Sequence, residues 1–121
     1  MTDADTTLSV LKERVTAFCT ARDWDQFHGP RDLAIGAVTE AAELLALFRF
    51  RTDDEISATL ADPVARVPAE HELADVMFFL LRLAARHGID VAGACERKLA
   101  VNETRYPVAT SRGSNRKYTE L

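Results

Sequence analysis

Four carboxylates stand among residues that should form a helical core. Glu40 and Glu43 are three apart in a stretch that also holds Val38, Leu44, Leu45 and Phe48, and Glu72 and Asp75 are three apart among Leu73, Val76, Met77, Phe78, Leu80 and Leu81. On a helix, residues three and four apart are neighbours, so each pair makes one acidic spot on an otherwise apolar rod. Burying even one unpaired charge costs several kcal/mol after relaxation. Four such groups coexist only by reaching solvent, pairing with bases, protonating or binding cations. Hard oxygen ligands select magnesium, with manganese as the alternative. Either pair alone reads equally well as solvated acids or as partners of Arg49, Arg82 and Arg86. Two pairs, on apolar helices separated by a helical-hairpin return, favour a shared cation.

Two further groups of residues suit a polyphosphate bearing an aromatic base. Lys98, Asn102 and Arg105 recur at i, i+4 and i+7 and form a polar strip fit for phosphate oxygens, although cations near a helix C-terminus also favour the macrodipole. Trp24, Phe27, His28, Phe50 and Phe79 offer flat surfaces on which a base can stack, or else ordinary core packing. Phe27 reads as core and Trp24 as the first choice for base contact. His28 reads as a hydrogen-bonding residue rather than a metal ligand, and it joins Trp24, Phe50 and Phe79 as a candidate substrate contact.

The elements that must carry these residues are helical throughout. Leu8, Leu11, Val15 and Phe18 recur at helical spacing, with Thr6 or Thr7 able to cap a first helix that runs to about Arg22. Gly29-Pro30 then blocks continuation and closes a short aromatic loop over residues 23–30. A long second helix is expected over 31–50, apolar almost all round and therefore largely buried, and a short helix over 52–61. Asp62-Pro63 and Val67-Pro68 precede a third main helix over about 69–87, which Gly88 ends at a C′ position. Asp90 caps a fourth, which ends before Pro107 and leaves 108–121 as a polar tail of low expected order. The fold class is thus an all-α bundle of four to five helices. One domain spans 1–107, and no stretch has a strand period.

Composition narrows the function classes. The chain has 121 residues, a 47% hydrophobic content sufficient for one modest core, and a net charge of −4 that excludes a broad basic face for duplex nucleic acid. A polyphosphate bound to such a surface needs a metal to offset the acids. The opening Met1-Thr2-Asp3-Ala4-Asp5 is unlike a secretory signal. The longest apolar run, residues 76–81, is six residues, far short of the roughly 20 that cross a bilayer. Cys19 and Cys95 form no CxxC pair or regular framework. These features lead us to expect a soluble cytoplasmic protein with reduced thiols and no membrane partner.

At this point the residues resemble a known family, the MazG-like all-α nucleotide pyrophosphohydrolases. Their ExxE and ExxD signature reads here Glu40-Ala41-Ala42-Glu43 and Glu72-Leu73-Ala74-Asp75. The likeness is nearest to the dCTP pyrophosphatase branch through Arg22-Asp23-Trp24-Asp25-Gln26-Phe27-His28, Asn102-Glu103-Thr104-Arg105-Tyr106-Pro107 and Arg116-Lys117-Tyr118-Thr119-Glu120-Leu121. The resemblance implies magnesium held by Glu40, Glu43, Glu72 and Asp75, which would also be the catalytic residues. It further implies a triphosphate bound with Lys98, Asn102 and Arg105, Tyr106 as a further substrate contact, and water attacking the α-phosphorus of dCTP or a modified dCTP to leave the monophosphate and pyrophosphate. Glu43 is one carboxylate able to take the proton. A homo-oligomer is implied as well, a tetramer before a dimer, with neighbouring subunits completing each pocket. The branch usually carries Trp and Tyr where this chain has Phe50 and Phe79, and His where it has Val15. Those departures bear on selectivity for cytosine more than on hydrolysis.

Two rival readings make different demands. A di-iron carboxylate bundle needs Glu-x-x-His pairs at ligand spacing, and neither His71 nor His87 stands in Asp75's place in the pattern. A non-catalytic helical interaction or regulatory module needs only the bundle, and the intact acids argue against it.

Overall fold

The computed structural model describes all residues 1–121. Helix α1, Leu8–Ala21, begins where the Thr7 side chain accepts the Val10 N–H, which satisfies one of the donors left open at a helix start. A 3-10 turn at Asp25–Phe27 follows. Gly29 and Pro30 then act as N-cap and first residue of α2, Pro30–Ala46, because a proline has no amide hydrogen to lose at that position. Helix α3 is Asp53–Ala61, capped by Thr52. Helix α4 is Val67–Arg86, α5 is Val91–Arg105 with the Asp90 side chain accepting the Gly93 N–H, and α6 is Val108–Ser111. A second 3-10 turn lies at Tyr118–Glu120. The architecture is all-helical with six α-helices and no strand, and no helix is long and apolar enough to cross a membrane.

The chain divides into two compact units, Met1–Gly88 and Ile89–Leu121. In the first, α4 packs against α1 and α2. Gly36 meets Phe79 while Glu40 and Glu43 meet Glu72, so α2 and α4 run antiparallel. The buried apolar residues are Cys19, Leu33, Ala69, Leu81 and Ala84. Gly88 closes α4 with φ 63°, the left-handed conformation expected of a C′ glycine. In the second unit the Tyr118 ring meets the Tyr106 ring edge-on, centroids 5.8 Å apart, and lies under the Arg105 guanidinium. Residues 108–121 therefore contain a short helix and a 3-10 turn.

Two expectations need correction. The second helix ends at Ala46, not near residue 50. Leu47 and Phe48 donate instead to Leu44 and Leu45, three residues back, and Phe50 takes a left-handed backbone with φ 64°. Nor is α2 largely buried, since within this chain only Leu33 is, while Val38 is 71% and Leu45 68% exposed. One helix packed on α2 along a single side cannot cover a surface that is apolar almost all round.

Candidate metal centre

The antiparallel packing of α2 on α4 brings the two acidic spots together. Carboxylate oxygens of Glu40, Glu43 and Glu72 all lie within 4.8 Å of one another. Glu43 is exposed, while Glu40 and Glu72 are half-buried, and each of these two keeps one oxygen that is sealed from solvent and has no hydrogen-bond partner. A shared hydrogen bond with Glu43, burial, and the charges of Glu43 and Asp75 push the Glu40 carboxyl up to about 7. Burial, then the charge of Glu43, raises Glu72. Asp75 is exposed and stands outside the three-oxygen group, yet its charge acts on both Glu40 and Glu72.

The arginines that offered an ordinary explanation for these acids are engaged elsewhere. Arg82, 2% exposed, donates from its guanidinium to Asp25, and through Nε to His28 Nδ1 at 3.2 Å. Arg86 also pairs with Asp25, at 3.2 Å, and the Arg49 guanidinium covers the Phe50 ring, 4.5 Å from its centroid. What remains is a set of hard oxygen donors in mutual repulsion, two of them orphaned and buried. A divalent cation among them would satisfy the orphaned oxygens and offset the repulsion, so the donor set fits a magnesium-type ion.

Aromatic residues connect this centre with the loop before α2. Trp24 meets Phe18 edge-on at 5.5 Å, Phe18 meets Phe78 at 5.9 Å, and Phe78 meets Phe79 at 5.3 Å. Phe79 lies against α2 at Gly36, one turn from Glu40. His28 packs edge-on against Trp24 and is buried, and its Nδ1 accepts from Arg82, which requires that nitrogen to be unprotonated. Burial and the neighbouring Arg82 charge lower its pKa, in keeping with that role. Phe27 is 62% exposed, not core, and Phe50 is 92% exposed. Lys98 and Arg105 are exposed and Asn102 half-buried on α5, in the second unit, as is Tyr106.

Sequence reasoning missed Phe18, Phe78, Arg82 and Asp25 as parts of this scaffold. The signal for Arg82 was its place at the end of the apolar run over residues 76–81, where a charged residue needs a partner of its own.

An all-helical unit with carboxylates converging from two antiparallel helices defines a class of acid-centred helical proteins. Within that class the MazG-like family model matches residues 35–121, and the chain belongs to this family. It is 41% identical over 115 residues to human dCTP pyrophosphatase 1, covering 95% of this chain and 68% of that protein. The cattle dCTP pyrophosphatase 1 is 39% identical over 118 residues, covering 98% and 70%. Among solved structures, a pyrophosphatase from Archaeoglobus fulgidus superposes with a TM-score of 0.76 at 31% identity, covering 88% of this chain and 98% of that one.

Proposed function

We propose that this chain is a divalent-metal-dependent nucleoside triphosphate pyrophosphohydrolase of the dCTP diphosphatase type, cleaving dCTP or a modified dCTP to the monophosphate and pyrophosphate. The observation that carries this reading is the convergence of Glu40, Glu43 and Glu72 with two buried, unpartnered oxygens. Its likeness to the mammalian dCTP pyrophosphatases over nearly its whole length supports the substrate class.

Glu40, Glu43 and Glu72, with Asp75 beside them, would hold the ion, magnesium by preference. When bound, that ion supplies charge neutralisation of the phosphates and acidifies the attacking water. Water adds to the α-phosphorus, the bond to the bridging oxygen breaks, and pyrophosphate leaves. The water's proton passes to a carboxylate, and we assign Glu43 because it is the exposed member of the three. We assign Trp24, Phe79 and His28 to the base and, as the family resemblance implies, Lys98, Asn102 and Arg105 to the phosphates, with Tyr106 as a further substrate contact. Exposed Phe50 is suited to a pocket completed by another subunit. A homo-oligomer, a tetramer before a dimer, would cover the apolar residues of α2 and α4 that this chain leaves open, such as Val38, Leu45, Leu73 and Leu80.

The test is release of pyrophosphate from a panel of nucleoside triphosphates with magnesium, repeated with Glu43→Gln. Turnover of dCTP that drops at least about 100-fold in the variant is expected. A wild-type protein that hydrolyses no nucleotide in the panel overturns the reading.

A further inference from the structure

We propose that Gly36 is a specificity-determining position: its missing side chain lets the Phe79 ring lie directly on α2 and so sets the room left for a base beside the carboxylates. The inference rests on the nucleotide hydrolysis proposed above.

A Cβ built at position 36 would stand 2.5–2.7 Å from three carbons of the Phe79 ring, closer than real Cβ contacts come. Nothing but glycine leaves that ring where it is. A mid-helix glycine costs roughly 0.5–1 kcal/mol relative to alanine, so its presence here needs a local reason, and the ring supplies one. Both residues are placed by the same registry as the acids. Gly36 precedes Glu40 by four residues on α2, and Phe79 follows Asp75 by four on α4. The ring therefore lies one turn, about 5.4 Å of helix rise, from the carboxylate level. In the function proposed above Phe79 serves the base, so a ring at this level is a wall of that subsite.

Phe79 is half-buried, with one side on α2 and its edge contact on Phe78. Raising the ring off α2 would shrink the space beside it, and shortening the side chain would enlarge that space. Hydrophobic pockets discriminate by volume, and one carbon changes relative specificity by about 10- to 200-fold. Gly36 and Phe79 thus behave as one matched pair, and their substitutions should not act independently.

The experiment measures kcat and KM for dCTP, 5-methyl-dCTP and 5-propynyl-dCTP, together with Mn²⁺ affinity, in the wild-type, Gly36→Ala, Phe79→Leu and double-variant enzymes. Gly36→Ala should raise KM for dCTP about tenfold with kcat held within about threefold, and Phe79→Leu should raise relative kcat/KM for the 5-propynyl substrate about tenfold. The double variant should return to the KM of Phe79→Leu alone, with Mn²⁺ affinity unchanged throughout. Folded Gly36→Ala with wild-type KM, effects that simply add, or loss of Mn²⁺ binding in both single variants overturns the proposal. If Gly36→Ala does not fold, Phe79→Leu decides it, since an unchanged base preference sinks the idea. A wild type that turns over no nucleotide overturns the proposed function and this inference with it, whereas wild-type turnover with a base preference indifferent to both variants overturns this inference alone.

Discussion

The Glu40 carboxyl is the residue on which the chemistry of the centre can be read without substrate. It is held up to about 7 from its ordinary 4.5 by the hydrogen bond with Glu43, by burial and by the surrounding negative charge. Between those two values the folded chain binds more protons than the unfolded one, so stability present at low pH is lost as pH rises through the window. Metal-free protein should therefore melt at a lower temperature at pH 8 than at pH 5.5 by this contribution. Magnesium should restore the loss at pH 8, and Glu40→Gln should flatten the difference. Differential scanning fluorimetry across pH, with and without magnesium, checks this, and a slope that Glu40→Gln leaves unchanged would assign it to other groups.

At the scale of elements, the turn that carries Trp24 is tied to α4 by one buried guanidinium. Arg82 serves His28 and Asp25 together, and Trp24 leans on the His28 ring. Removing the guanidinium leaves the buried Nδ1 of His28 without its donor, whereas Asp25, more exposed, keeps Arg86. Arg82→Met should thus cost about 1–3 kcal/mol, the usual penalty for a buried group left unsatisfied. Urea unfolding measures that loss. Iodide quenching of the single tryptophan reads the local effect, since a loosened turn should expose Trp24 further while the helical content stays as it was. Unaltered quenching would mean that Phe18, not Arg82, holds the indole.

At the scale of the whole molecule, the balance of buried and exposed apolar surface points to assembly. A unit whose buried apolar side chains are five, and whose α2 presents Ile35, Val38 and Leu45 to water, has more to gain from a partner surface than from repacking. If copies of this chain cover α2, Val38→Asp should shift the particle to a smaller mass in sedimentation at micromolar concentration. It should also lower thermal stability, because the fold and the assembly are then coupled. A monomeric wild type, or a variant whose mass does not change, would show that α2 is not the covered face.

The acid spacing, the cap at Asp90, a threonine cap at position 6 or 7, which the structure assigns to Thr7, and the C′ glycine at position 88 are local properties that short-range rules read from residue order. The helical class and the sharing of a face by Glu40 with Glu43 and by Glu72 with Asp75 were legible for the same reason, since a period of three to four residues determines which side chains are neighbours on a helix. The approach of Glu72 to Glu40 and Glu43, by contrast, needed the packing of α2 on α4. The fate of the arginines was not legible either. Whether Arg82 answered Glu72 or Asp25 depended on how the loop before α2 folded back, a contact across 57 residues of sequence. The close seat of Phe79 on Gly36 was equally hidden, because it needs the antiparallel register of two helices that sequence spacing does not contain. The end of α2 at Ala46, where the bonding of Leu47 and Phe48 tightens to three residues back, and the exposed, left-handed Phe50 were likewise visible only in the structure, since helix propensity gave no reason to expect either.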